Sequence, residues 1–185
     1  MGSNKALLEF AGEPLVARQI RVLREAGFSP TILGQAALYE RFGAPVLPDD
    51  VPGLGPLGGM VTTLAHSASD WNLIVAVDLP YLTPQWLRAL ASRAVASDSA
   101  DVIVPRSDRG LEPLSAVYHR RALPVLRSAL AAGVRKVTDA LAHPPGCRLL
   151  EISPEEWNRI AGEPLLFENI NTMADYQKAV SGGRS

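Results

Sequence analysis

The sequence predicts a three-layer α/β fold, with helices on both sides of a mostly parallel central sheet. Three observations predict it. Short apolar runs alternate with amphipathic helical stretches along the chain, as strands separated by covering helices do. The run Leu73–Val77 is unbroken and too short for a helix, as expected of a strand buried on both faces. That run stops at a carboxylate, Asp78, placing it where open α/β sheets bind their ligands, at the carboxyl end of a central strand.

The elements follow in order. Met1–Asn4 leads into Lys5-Ala-Leu-Leu with no strand before it. Gly12 and Pro14 punctuate the entry to a helix over Leu15–Ala26, whose Val16, Ile20 and Leu23 share one face, and Gly27 ends it. Pro30–Gly34 reads as a short strand, Ala36–Phe42 as a helical turn and Pro45–Leu47 as another brief strand. Pro48–Gly59 is the most loop-like stretch, with four glycines and three prolines in twelve residues, and Met60–Ala65 after it is helical. Beyond the central strand, Leu79-Pro80 and Thr83-Pro84 turn the chain into a helix over Gln85–Ala96. Asp101–Pro105 is a strand, Arg106–Glu112 a charged loop and Leu114–Tyr118 a further strand. Helices at Ala122–Ala132, closed by Gly133, and at Lys136–Ala142 precede a strand at Leu149–Ile152. Ser153-Pro-Glu-Glu156 is a helix start, with a capping serine, proline at the first position and glutamate three residues on. Leu165–Phe167 then leads into Glu168-Asn-Ile-Asn171, and Thr172–Val180 reads as a closing helix. With no internal repeat or linker, residues 1–180 read as one domain and 181–185 as a disordered tail.

Composition narrows the function. The 185 residues are 47% apolar and 20% charged, with a net charge of −1. No strong basic stripe is present, which argues against a broad nucleic-acid or membrane surface. The single Cys147 excludes an internal disulfide and a cysteine metal cluster, which points to a reducing cytoplasm. No signal peptide is visible, and no apolar run approaches the roughly 20 residues that span a bilayer.

Several residues carry candidate chemistry. A lone carboxylate such as Asp78 at a strand end suits a hard cation like Mg2+; the competing reading is a cap for the next turn. The glycine-rich loop before Met60 could bring backbone amides to a phosphate, or be an ordinary surface turn, and it matches neither the Walker loop nor the dinucleotide fingerprint. Asp49 and Asp50 could serve as turn residues before Pro52. Arg106, Arg109, Arg135 and Lys136 read as a solvated basic face, with binding of acceptor phosphates as the alternative. His66, His119 and His143 are too scattered for a triad or a metal cluster, and Cys147 reads as a small core residue.

Four segments in order resemble one family. They are Met1-Gly-Ser-Asn-Lys5-Ala-Leu-Leu, the Asp49…Gly55-Pro-Leu-Gly-Gly59 loop, Val77-Asp78-Leu-Pro-Tyr-Leu82 and Asn169-Ile-Asn171-Thr, and together they resemble the MobA-like nucleotidyltransferases. Glu112-Pro-Leu-Ser-Ala-Val-Tyr118 sits where that family has a substrate-side strand. The resemblance covers nearly the whole chain and implies the Rossmann-like nucleotidyltransferase fold. It implies Mg2+-dependent transfer of GMP from GTP to molybdopterin, with release of pyrophosphate, as in molybdenum cofactor guanylyltransferases. Asp78 resembles the family's magnesium ligand, and Lys5 its phosphate-contacting lysine, for which a solvated lysine is the alternative. Asp49 resembles the acidic residue near the donor nucleoside, and Pro56, Leu57, Gly58 and Gly59 the loop against its base. Asn169 and Asn171, alternating on one face of an extended segment, resemble the pair near the acceptor and metal; capping the last helix is their alternative. The related cytidylyltransferase, a sugar- or polyol-phosphate nucleotidyltransferase and a non-catalytic nucleotide-binding module are the rival readings. Oligomeric state is left open.

The resemblance also implies a first strand and a glycine-rich phosphate loop ahead of Met1, and neither is in the sequence. The expectation is a sheet with its first strand missing, unpaired edges on the neighbouring strands, a groove in the core, and weak or no transfer by the 185-residue chain.

Overall fold

The computed structural model describes residues 4–170. Asn171 and the helix expected over Thr172–Val180 lie outside the described residues. The chain opens with a 3₁₀ turn, Lys5–Leu7, capped by the Asn4 side chain, which accepts from the Ala6 amide. A two-residue hairpin follows, β1 (Glu9–Phe10) and β2 (Glu13–Pro14), with Ala11 (φ 51°) and Gly12 (φ 83°) in the turn. Helix α1 (Leu15–Glu25) buries Val16, Ile20 and Val22 and ends at Gly27, whose φ of 91° only glycine adopts cheaply. Strands β3 (Ile32–Leu33) and β4 (Val46–Leu47) then pair in parallel across α2 (Ala36–Tyr39).

Helix α3 (Gly55–His66) leads to β5 (Trp71–Val75), and α4 (Pro84–Val95) follows the turn at Asp78. Strand β6 (Val102–Ser107) forms a hairpin with β7 (Gly110–Leu111) before β8 (Ser115–His119) returns through the sheet. Helices α5 (Leu123–Ala131) and α6 (Val137–Ala142), strand β9 (Leu149–Ile152) and helix α7 (Pro154–Ala161) complete the described chain.

The main sheet is mixed. Strand β8 runs antiparallel to both β5 and β6, while β9 joins the far side of β6 in parallel. Successive residues of each strand serve opposite layers. Ile103 and Val117 face α1, α4 and α7, with Trp86, Leu87 and Leu90 packed around them. Val102, Val104, Ala116 and Tyr118 face α3, α5 and α6, against Leu57, Leu64 and Leu126. The expected three layers are therefore present. The Arg106–Glu112 segment, read as a loop, is the β6–β7 hairpin. It escapes a hydropathy reading because its partner strand is only two residues long.

Strands β3 and β4 stand apart from the main sheet. Between β3 and β5 lies a groove of about 990 Å³, walled by α1 and α3. It explains why every residue of β5 is half-buried rather than buried on both faces. Among the described residues, β3 pairs only with β4 and β5 only with β8, and the groove lies between them.

Candidate active site

The site gathers where β5 ends. Asp78 follows β5 by three residues, its side chain 20% exposed, and Lys5 Nζ lies 3.7 Å from its Oδ2. Two sequence features aim these groups. The Asn4-capped turn holds Lys5, and Asn4 itself exchanges hydrogen bonds with the Tyr39 hydroxyl at 2.9 and 3.1 Å. Asp78 sits at the head of a turn that α1 holds from beneath. Gln19 Nε2 donates to the Leu79 carbonyl at 2.6 Å, and Arg18 Nε donates to the Pro80 carbonyl at 2.5 Å. A carboxylate on a turn tied down this way loses little freedom when it binds a ligand. Gln19 and Arg18 were not singled out from sequence, where they look like ordinary polar residues of an amphipathic helix.

The segment after α7 meets the same place. The Ile170 amide donates to the Asp78 carbonyl at 3.0 Å, which sets Asn169 beside the turn. Asn169 Oδ1 is buried with no hydrogen-bond partner, one of two such side-chain atoms among the described residues. A buried acceptor left unmatched costs about 1–3 kcal/mol, so a ligand group that reaches it gains what the fold forgoes. Arg109 fastens this segment to the β6–β7 hairpin. Its guanidinium donates to the Phe167 carbonyl and lies 3.5 Å from Glu168 and 3.8 Å from Glu112. Arg109 thus holds a backbone rather than forming part of a solvated basic face. Burial pushes the Glu112 carboxyl above its ordinary value, opposed by the hydrogen bond it accepts from Ser107 Oγ.

Asp49, Pro56 and Gly59 lie on the opposite wall, lining the groove next to β3. Residues 56–59 belong to the first turns of α3 rather than to a loop, since helix geometry begins at Gly55 with proline in the first turn. Leu57 is fully buried in the core. A Cβ on Gly58 would lie 2.6 Å from Leu54 Cβ, and one on Gly59 2.3 Å from Leu33 Cδ2. Close packing thus demands glycine at 58, against the fixed Leu54 Cβ, more strictly than at 59, where the neighbour is the movable end of Leu33. Asp50 Oδ1 lies 2.9 Å from His66 Nε2, and both side chains are half exposed.

No group of three or more His, Cys, Asp or Glu side chains capable of holding a metal occurs among the described residues. The donor set at Asp78 is one carboxylate with the unmatched Asn169 oxygen on the adjoining segment. That set fits a hard cation that keeps most of its ligands as water and substrate phosphate. No helix among the described residues is long and apolar enough to cross a membrane.

The fold is thus a mixed sheet with helices on both faces, with a carboxylate just past the end of β5 and a lysine facing it. The chain belongs to the MobA-like NTP transferase domain family, whose model matches residues 1–145. It is 34% identical over 181 residues to a probable molybdenum cofactor guanylyltransferase of Pelotomaculum thermopropionicum, covering 97% of this chain and 85% of that one. Its structure is similar to that of the molybdopterin-guanine dinucleotide biosynthesis protein A of Archaeoglobus fulgidus, with a TM-score of 0.84 at 24% identity, covering 97% of this chain and 90% of that one. The same fold appears in a Mycobacterium tuberculosis protein solved in complex with manganese, with a TM-score of 0.65 at 21% identity, covering 97% of this chain and 93% of that one.

Proposed function

We propose that the protein is a molybdenum cofactor guanylyltransferase, moving GMP from GTP to the terminal phosphate of molybdopterin and releasing pyrophosphate. The observation that carries the proposal is the Lys5–Asp78 pair at the end of β5, beside the unmatched Asn169 oxygen. A half-exposed ion pair contributes at most about 1 kcal/mol, so stability does not account for this placement. The names borne by the relatives supply the donor and the acceptor.

Transfer of this kind needs positioned charge more than a protein nucleophile. Asp78 would hold Mg2+, with the Asn169 segment, whose Ile170 amide meets the Asp78 carbonyl, beside it. When bound, the ion neutralises charge developing on the phosphate oxygens. The chain's own residues do the rest. The Lys5 ammonium is the point charge available to a phosphate entering beside Asp78. Gln19 and Arg18 keep the carboxylate from turning away by holding the carbonyls that follow it. Asn169 orients the acceptor through its buried oxygen, with Arg109 fixing the backbone that carries it. Asp49 contacts the donor nucleoside, and Pro56–Gly59 bring the start of α3 against its base. The lone cysteine fits a reducing cytoplasm as the place of action.

The test is nucleotide competition. GTP with Mg2+ should displace a fluorescent guanine nucleotide at least about tenfold more effectively than CTP, a margin of about 1.4 kcal/mol. Equal displacement by CTP would overturn the donor assignment.

A further inference from the structure

The donor-side residues stand on two elements, the segment 48–54 with Asp49 and the first turns of α3 with residues 56–59. Burial does little to hold the segment: residues 50–53 are all exposed, Val51 by 57%. One stripe of α3 holds it instead. Gly59, Thr62 and His66 recur at helical spacing and share a face. At Gly59 the Asp49 carboxylate comes so close that a Cβ would lie 3.6 Å from its Oδ1. Thr62, 2% exposed, accepts from the Asp50 amide through Oγ1 at 3.3 Å. His66 Nε2 faces Asp50 Oδ1 at 2.9 Å, and an ionised carboxylate only accepts, so the ring donates. Among the described residues no other side chain makes a hydrogen bond to residues 48–54.

We propose that His66 is a positioning residue for the donor nucleotide: its contact with Asp50 clasps the Asp49 segment to α3, and donor binding strengthens as the imidazole gains its proton. The inference rests on the assignment of Asp49 and residues 56–59 to the donor. Histidine changes charge between about pH 5 and 8. A protonated ring adds charge attraction to the hydrogen bond, and a neutral ring keeps the hydrogen bond alone. His66 is also the last residue of α3, where the carbonyl end of the helix favours a cation. No other side chain of α3 titrates. On the clasped segment the carboxylates are Asp49 and Asp50, and Asp50 is the one in contact. Of the helices packed on α3, α5 carries Arg127, and α6 begins at the Lys136–Asp139 pair, 3.8 Å apart. Asp70, beyond the end of α3, lies 4.0 Å from Arg120. A clasp between the two donor-side elements sets their spacing before the nucleotide arrives, so less ordering is left for binding to bring about.

The test measures GTP binding with Mg2+ by calorimetry, and amide exchange of residues 49–54 without nucleotide, at about pH 6 and pH 8. The proteins are wild type, His66→Gln, which keeps a donor but no titrating charge, and Asp50→Asn. Comparing them at one pH cancels the titration of the nucleotide itself. At pH 6 wild type is expected to bind GTP about three- to fivefold more tightly than either variant, the size of a half-exposed ion pair, and at pH 8 about equally. Exchange in the segment is expected to be faster in both variants by a similar factor at pH 6, and about equal at pH 8. A wild-type advantage in GTP affinity that is absent at pH 6, or the same at both pH values, overturns the proposal. Exchange that follows the expectation while GTP affinity does not move overturns the link to the donor. Wild type that binds no GTP at either pH overturns the donor assignment along with this inference, which separates the two failures.

Discussion

Replacing Asp101 by Asn removes the charge that pins three elements at one end of the sheet. The Asp101 carboxylate is 12% exposed and accepts from the Arg148 amide at 3.0 Å, Nε at 3.0 Å and Nη2 at 2.7 Å. It also accepts from Arg121 Nε at 3.3 Å. Arg148 directly precedes β9, Arg121 lies in the 3₁₀ turn Arg120–Ala122 that leads into α5, and Asp101 directly precedes β6. The Arg148 hydrogen bonds, working against burial, hold the Asp101 carboxyl down at about 2, from an ordinary 3.8. That difference is worth about 2.4 kcal/mol at about 1.36 kcal/mol per unit. Both arginines are more than a third exposed, so solvent screening brings the expected loss in Asp101→Asn to roughly 1–2 kcal/mol.

The sign is fixed by linkage. A carboxyl depressed in the folded state stabilises above its unfolded value and loses that contribution as pH falls toward its folded one. Urea unfolding of wild type and variant should differ by roughly 1–2 kcal/mol at pH 7, with about half of the gap gone by pH 3. A gap below about 0.3 kcal/mol, or one that does not narrow between pH 7 and pH 3, would refute the reasoning.

Three further outcomes are expected. Gly58→Ala should cost about 1–3 kcal/mol and Gly59→Ala less, because Gly58 faces the rigid Leu54 Cβ whereas Gly59 faces the movable end of Leu33; equal melting temperatures would contradict this. Thr83→Ala removes the cap whose oxygen accepts from the Trp86 amide at 3.2 Å, and calorimetry should show a loss of about 1 kcal/mol. Burial pushes the Cys147 thiol up to about 11, from an ordinary 9.0, so iodoacetamide at pH 8 should label it about a hundredfold more slowly than the unfolded chain; matching rates would disprove the burial argument.

Much of this was legible where the signal is local. Ser153 and Thr83 cap the helices that their sequence neighbours announce, since a capping side chain needs only the next three residues. The position of Asp78 just past β5 was legible because an apolar run ending in a carboxylate is a local pattern. Other features depend on partners distant in sequence. Asp101 and Arg148 are 47 residues apart, and nothing in either stretch names the other. The direction of β8 was not readable, because side-chain alternation is the same in parallel and antiparallel strands. Gly58 and Gly59 hid the start of α3, since glycine is a poor helix former and only packing against Leu54 and Leu33 explains it there. The Ala11-Gly12 hairpin turn was missed because two-residue strands leave no periodicity to detect. Lys5, more than seventy positions from Asp78, was singled out by family resemblance and not by spacing, and its pairing with Asp78 was not anticipated.

The most direct test of the functional account is calorimetric binding of GTP, with and without Mg2+, to the wild-type chain and to Asp78→Asn. The account predicts that Mg2+ strengthens GTP binding to wild type at least about tenfold and that Asp78→Asn, folded by circular dichroism, loses that enhancement. Binding that Mg2+ strengthens equally in both proteins would contradict it and remove Asp78 from the site.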